Sequence, residues 1–436
     1  MAQYKIENGV VTFVNEGITK IETYAFSGNA DIIRINIPQS VTEIGEYAFS
    51  NCINLTTLFL PAGVELIGKH SFEGCINLRC VVKYSGMIEL GDYAFKGCEN
   101  LQSVDICDGI SKIGKGTFSN CTTLEYITLP WGLMSIGNNA FENCNNLVNV
   151  VIPKGVVEIG EGTFYCCESL EQVAIPTGLQ SIGHFAFWCC DKLQNIDIPE
   201  GVTSIGCEAF AFCSALRSVV IPRSVNNISS GAFMCCPKLE SLVVEESNPV
   251  YSSPKECNAI IITATNELVV RCNNTDIPRD ITGIRTGAFA FCDDVQINIS
   301  NVRYIAGFAF WNYKNLKSIS MPETISYIDS YAFCGCEKLE SIHIPEGITK
   351  IEYATFCRCR SLVCVNIPNG VTEIDDYAFG GCTSLKSVTI PESVTLISSN
   401  AFEDCAAIES IYVPIDKLYF YKGLLPEGLS SFLKGM

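Results

Sequence analysis

The sequence predicts an α/β solenoid: one long parallel β-sheet built from 23-residue coils that return through short helical or 3₁₀ turns. Two observations carry this expectation. Phenylalanine recurs at Phe26, Phe49, Phe72, Phe95, Phe118, Phe141, Phe164, Phe187, Phe210 and Phe233 with a constant step of 23, and resumes at Phe289, Phe310, Phe333, Phe356, Phe379 and Phe402, making sixteen copies. Each copy holds about eight apolar positions, too few to close a core alone, so neighbouring copies must stack and bury one another.

The copy AFENCNNLVNVVIPKGVVEIGEG, Ala140 to Gly162, shows each element in order. Leu147, Val150 and Ile152 alternate at the end of an apolar, β-branched run, the pattern of a short strand. A proline follows in most copies (Pro61, Pro130, Pro153, Pro176, Pro199, Pro222, Pro345, Pro368, Pro391); lacking an N–H, it ends ladder pairing. Glycine two residues later (Gly63, Gly109, Gly155, Gly370) is expected to turn the chain with an unusual φ. Val156, Ile159 and Gly160 then run back along a second face, and the spacing by three in A-F-x-x-C-x-x-L predicts the helical or 3₁₀ return. A body of this kind is expected to have one regular face and no central pocket.

These residues resemble a known family. The registered unit A-F-x-x-C-x-x-L-x-x-I-x-I-P-x-x-V-x-x-I-G is similar to the BspA-like subtype of leucine-rich repeat proteins. It departs from the commoner leucine-rich pattern, in which Asn or Cys follows the strand: here Gly or Ser sits there (Gly155, Gly178, Ser224, Ser393) and the cysteine precedes the leucine. The resemblance implies a non-catalytic protein-binding solenoid with a surface or host-facing adhesion role.

Fourteen copies place cysteine three residues after the phenylalanine, from Cys52, Cys75 and Cys98 to Cys382 and Cys405. A residue that recurs with the phenylalanine in the apolar stripe belongs to the core, where cysteine acts as a small hydrophobe with a weak donor. Disulfides between rungs are not expected, because equivalent Cβ atoms lie about one coil apart, beyond the roughly 3.5–4.5 Å a disulfide needs. Cys166, Cys189, Cys235, Cys334 and Cys357 lie beside this ladder. Tetrahedral zinc needs four ligands, so no metal is expected even at the matched Cys166 and Cys189.

Between Phe233 and Phe289 the step is 56. The extra stretch carries apolar runs at 258–262 and 267–271 around 263–266, which reads as a β-hairpin projecting from the solenoid. The resulting organisation is an N-terminal cap over 1–20, the solenoid over 21–414 with an insertion at about 243–283, and a helical cap over 415–436. In the last segment Pro426 suits a first helical position, and Leu425, Leu429, Phe432 and Leu433 fall at helical spacing.

Charge narrows the partners. The formal net charge is -18 with only 29 Lys plus Arg, a field that repels nucleic acid and anionic membranes. No run of about 18 apolar residues suggests a membrane span. The start MAQYKIENGVVTF does not read as a signal peptide, and the 25 cysteines, an odd number, fit a reducing compartment. The compartment is therefore open between cell surface, by resemblance, and cytoplasm.

No cofactor motif and no catalytic site are expected. His70, His184 and His343 lie several coils apart, on the order of 24 Å, too far to share a centre. His343 with Ser320, Cys364 and Asn366 spells a thiol-hydrolase grouping, but the diagonal neighbours lie about 7–8 Å apart, and a solvated histidine on a sheet is the simpler reading. The expected function is binding of a protein ligand by a monomer through the outward strand positions, with Phe59, Asp105, Tyr126, Asn149, Gln172, Asp197, His343, Asn366 and Tyr412 as candidates. An intracellular scaffold and a thiol enzyme are the alternatives.

Overall fold

The computed structural model describes the chain except residues 1–3, 15–16, 84–88, 107, 255–256, 273–276, 293–296 and 298, and the side chains of 82 and 83. Parts of the expected N-terminal cap and insertion therefore lie outside the described residues. The chain divides into two compact units, Met1–Cys236 and Pro237–Met436.

In the first unit the predicted strands form a nine-stranded sheet. It starts with an antiparallel hairpin, Tyr4–Glu7 with Val10–Phe13, and continues in parallel through Arg34–Asn36, Thr57–Leu60, Cys80–Lys83, Ser103–Asp105, Tyr126–Thr128, Asn149–Val151 and Gln172–Ala174. Register advances by one coil at each step, as in Thr57 opposite Cys80 and Asn149 opposite Gln172. A second face carries two-residue strands such as Glu43–Ile44, Leu66–Ile67 and Lys112–Ile113, also parallel. Between the faces the phenylalanines stack ring on ring, with centroids 5.0 Å apart at Phe26 and Phe49 and 5.8 Å at Phe95 and Phe118.

The return segment departs from the expected helix. Ala48, Ser50 and Cys52 donate their N–H groups three residues back, to Gly45, Tyr47 and Phe49, but the residues between them, Tyr47, Phe49 and Asn51, donate to Lys69, Ser71 and Glu73 of the next coil at 2.9, 2.8 and 2.6 Å. A helix would keep all its N–H groups to itself. Sending every second one outward requires left-handed residues, and Tyr47 (φ 54) and Asn51 (φ 57) adopt that conformation two residues either side of Phe49. Left-handed backbone costs a non-glycine residue roughly 1–2 kcal/mol, which the inter-coil hydrogen bonds offset. Of the four glycines expected to turn the chain, Gly109 has a positive φ (111), while Gly63, Gly155 and Gly370 do not. Their hydrogen is needed for close approach: a Cβ on Gly155 would sit 2.6 Å from the Leu133 carbonyl oxygen, and one on Gly370 2.8 Å from that of Glu346.

The second unit repeats this plan, with Phe289, Phe310, Phe333, Phe356, Phe379 and Phe402 stacked and fully or almost fully buried. The insertion folds as the antiparallel pair Ala259–Ile262 and Glu267–Arg271. It does not project. Glu267–Arg271 pairs in parallel with Gly283–Ile284, which continues to Tyr304–Ile305 and Tyr327–Ile328. Ala259, Ile260 and Leu268 are fully buried, because both strands are apolar on both faces and must be covered.

At the end of the chain, helix α1 (Leu418–Leu424) and the single turn α2 (Glu427–Ser430) follow a 3₁₀ turn at Ile415–Lys417. Pro426 stands just before α2. The helical spacing anticipated through Leu433 stops early, since Leu433–Gly435 extends into a strand in register with Ser410–Val413. Pairing satisfies the exposed N–H and C=O row of Ser410–Val413, which a second helix would leave open. Among the described residues no helix is long and apolar enough to cross a membrane.

Candidate surface on the outward strand face

The cysteine ladder settles which residues remain for function. Of the ladder thiols all are buried except the half-buried Cys236. All but Cys292, which follows the long step, are placed to donate into the carbonyl of the phenylalanine one coil back: Cys75 to Phe49 at 3.1 Å, Cys144 to Phe118 at 3.2 Å, Cys405 to Phe379 at 3.0 Å. The same Phe49 oxygen also accepts the Cys52 N–H at 3.1 Å, so both its lone pairs are used. Burial pushes most of these thiols up, Cys52 to about 11 and Cys121 to about 12, which suits packing and not chemistry; Cys405 is instead drawn down by its hydrogen bond with Cys382.

The histidines are engaged separately. His70 is stacked between Tyr47 and Tyr93 at 4.5 and 4.9 Å, with Nδ1 2.7 Å from Glu73. His184 Nδ1 accepts the Cys207 N–H at 2.8 Å. His343 lies outside any assigned strand, and its Nε2 is 2.7 Å from the Glu323 carboxylate. That hydrogen bond, with one from the Glu346 N–H, holds the Glu323 carboxyl below the usual range. The bridge of Ser341 with Cys364 puts His343 in register with Asn366, but its Nε2 is engaged by Glu323 and not by Cys364, which agrees with the simpler reading of a surface histidine.

The outward columns are in place in each unit. In the first, Tyr126, Asn149 and Gln172 are neighbours in register, with Asp105 beside Thr128 on the adjoining column. Tyr126 is 55% exposed. Phe59, also exposed, lies under the Arg34 guanidinium at 5.2 Å. In the second unit Asn366 is aligned with Thr389 and Tyr412, and Tyr412 is half-buried under Lys434 Nζ at 5.9 Å from its ring.

One feature breaks the expected flatness. The nine-stranded sheet ends at Gln172–Ala174, and the next strand, Asn195–Ile196, begins a separate sheet. Where the ladder opens there is a cleft of about 390 Å³ lined by Glu171, Gln172, Val173, Ala174, Gln194, Asn195 and Asp197. Two carboxylates and three amides face this space without a basic residue, so it favours hydrogen-bond donors and positive charge. A second polar groove, about 370 Å³, crosses the other face at Glu158, Ser181, His184 and Asn227.

A family profile described as BspA type Leucine rich repeat region (6 copies) matches residues 19–148, 134–253, 267–375 and 303–424. The chain belongs to the BspA-type leucine-rich repeat family. This repeat protein is similar to a leucine rich cell surface protein from Faecalibacterium prausnitzii A2-165, at 25% identity over 94% of this chain and 92% of that one, with a TM-score of 0.53. It shares its fold with a leucine-rich repeat protein from Eubacterium ventriosum ATCC 27560, at 21% identity over 71% of this chain and 84% of that one, TM-score 0.56. No curated protein sequence matches it.

Two groups of residues in this BspA-type protein were not singled out from sequence. Trp131, 78% exposed, occupies the turn after Tyr126–Thr128. Its signal was legible: other copies carry Lys154, Thr177, Glu200 or Arg223 at that step, so an indole there serves no packing rule. The second group is an aromatic groove of about 280 Å³ in the second unit, lined by Phe308, Trp311, Tyr331, Tyr353, Tyr377 and Arg358 over Cys334, Ala354 and Cys357. It exists because Cys334, Cys357 and Ala354 are short where flanking coils place Trp311, Phe308, Tyr331 and Tyr377 at the same two steps of the repeat.

Proposed function

We propose that the protein is a non-catalytic binding solenoid of the bacterial surface type, holding a protein ligand on the outward face of its first unit. The observation that carries this reading is the juxtaposition of exposed aromatics with an acidic cleft. Tyr126 and Trp131 offer rigid apolar area of the kind that anchors interfaces, and the Gln172 and Asp197 cleft begins about 10 Å along the same sheet, two strand spacings away. The likeness to a bacterial leucine rich cell surface protein supports the setting. The preferred ligand presents a lysine or arginine beside an apolar patch.

The test is binding of the purified full-length chain to a panel of extracellular matrix and serum proteins by biolayer interferometry. Replacing Tyr126 and Trp131 together by Ala should weaken the best binder at least 10-fold, about 1.4 kcal/mol, and Gln172→Ala with Asp197→Ala should do the same. His343→Ala, in the other unit, should leave affinity unchanged. Equal binding by wild type and both face variants would remove the reading.

A further inference from the structure

The aromatic groove of the second unit covers a pair of thiols that packing does not explain. Cys334 and Cys357 each follow a core phenylalanine directly, one coil apart. Their coils are zipped side by side: Phe333 donates to the Thr355 carbonyl at 2.9 Å and Gly335 to that of Cys357 at 2.8 Å. Zipped coils bring equivalent Cα atoms to about 4.8 Å, within the 4.4–6.8 Å range a disulfide spans; the parallel Cβ spacing that argues against rung-to-rung disulfides has to close by only a few tenths of an ångström to about 4.5 Å. In the core ladder the sulfurs are placed to donate to phenylalanine carbonyls, and the one ladder pair among the described residues that also hydrogen-bonds thiol to thiol, Cys382 with Cys405, is buried, at 0% and 6% exposure. Cys334 and Cys357 hydrogen-bond to each other. Cys357 is half-buried and lines the groove, while Cys334 is only 7% exposed beneath it.

We propose that Cys357 and Cys334 form a thiol–disulfide exchange site that takes a low-molecular-weight disulfide from the aromatic groove. The Cys357 thiolate attacks one sulfur of the small disulfide, forming a mixed disulfide and releasing one small thiolate. Cys334 then loses its proton to solvent and attacks the Cys357 sulfur, releasing the second small thiolate and leaving a Cys334–Cys357 bond. Two protein thiols are oxidised and one external disulfide is reduced to two thiols. Apolar ring walls accommodate the alkyl parts of the disulfide, and Arg358 at the rim suits a carboxylate on it.

Charge supports this division of labour. The hydrogen bond from Cys334 draws Cys357 below the ordinary thiol range against the opposing effect of burial, with the Arg358 guanidinium assisting, and leaves the proton on Cys334. The first unit holds a counterpart that lacks these features. Cys166 and Cys189 are also one coil apart and hydrogen-bonded to each other, but burial and the carboxylates of Asp191 and Glu168 keep Cys189 above its ordinary value, and Cys166 is pushed up to about 12. Two pairs with matched spacing and opposed surroundings make an internal comparison, since only thiolate attacks.

The reduced full-length protein is incubated at pH 7 with oxidised glutathione, quenched and alkylated, and its peptides are mapped by mass. The expected product is a Cys334–Cys357 crosslink while Cys166 and Cys189 stay free. In Cys334→Ser, glutathione should remain attached to Cys357, since nothing resolves it. Without any substitution, iodoacetamide should modify Cys357 at least about 10-fold faster than Cys189. Both pairs remaining reduced, both oxidising at one rate, or equal alkylation of Cys357 and Cys189 each overturns the proposal.

Discussion

At the scale of single residues, the ladder cysteines do two jobs that no other small side chain combines: they fill a narrow apolar slot and offer a weak donor to a carbonyl. Because the Phe118 oxygen also accepts the Cys121 N–H at 3.1 Å, Cys144→Ala leaves it partnered and should cost only about 1 kcal/mol. Phe141→Ala, which removes a ring from a continuous stack, should cost about 3–5 kcal/mol. Chemical denaturation compares them, and equal losses would mean the thiols carry the core. The ladder was legible from spacing alone. Left-handed Tyr47 and Asn51 were not, because nothing in their identity announces that their N–H groups serve another coil. The side chains at those steps vary from tyrosine and histidine to asparagine and cysteine, which hides the rule from pattern reading.

At the scale of elements, Lys350 on the second face holds Asp375, Glu373 and Glu352 at 2.9, 3.0 and 3.3 Å. Burial raises the Asp375 carboxyl, but its bonds with Lys350 and the Asp376 N–H outweigh this and hold it below the ordinary value. A depressed carboxyl contributes stability above its unfolded pKa, about 3.9, and loses it as pH falls through the folded value. Lys350→Met should therefore cost about 0.5–1 kcal/mol at pH 7, a figure kept small by solvent screening. The difference from wild type should shrink between pH 7 and pH 3, as the pH passes the unfolded value and approaches the folded one. Urea titrations at the two pH values check this, and a difference as large at pH 3 as at pH 7 would assign the loss to packing. The C-terminal segment makes a stronger case. Tyr421 is fully buried, its hydroxyl 2.6 Å from the Pro391 carbonyl and 3.0 Å from that of Val394, and Leu433–Gly435 closes the strand edge. Deleting 415–436 should produce aggregates in light scattering; a soluble, equally stable truncation would contradict a covering role. Sequence periodicity suggested helix to the end because Leu425, Leu429 and Phe432 do face the core. It could not register that the last residues gain more from an open ladder than from another turn.

At the scale of the whole molecule, periodicity made the repeat plan readable and also concealed its interruptions. The insertion was visible as a broken step, but its incorporation into the second-face sheet depended on pairing partners distant in sequence. The cleft at Gln172 and Asp197 was likewise hidden, since the copies on both sides keep the consensus while the hydrogen bonding between their strands lapses. The net charge of -18 carries its own expectation. Association with a basic ligand should slow as sodium chloride rises from 0.05 to 0.5 M, the range over which screening shortens to a few ångström, with the on-rate falling more than the off-rate rises. An on-rate indifferent to salt would place recognition on the aromatics alone.

Pairing that advances by one full copy at every step has a genetic corollary. An in-frame gain or loss of 69 bases, three for each residue of a copy, would return every strand, ring and thiol to an equivalent neighbour. Recombination between copies can thus lengthen or shorten such a gene without inventing a new contact, whereas an insertion out of that step, like the strands at Ala259–Ile262 and Glu267–Arg271, needs pairing of its own.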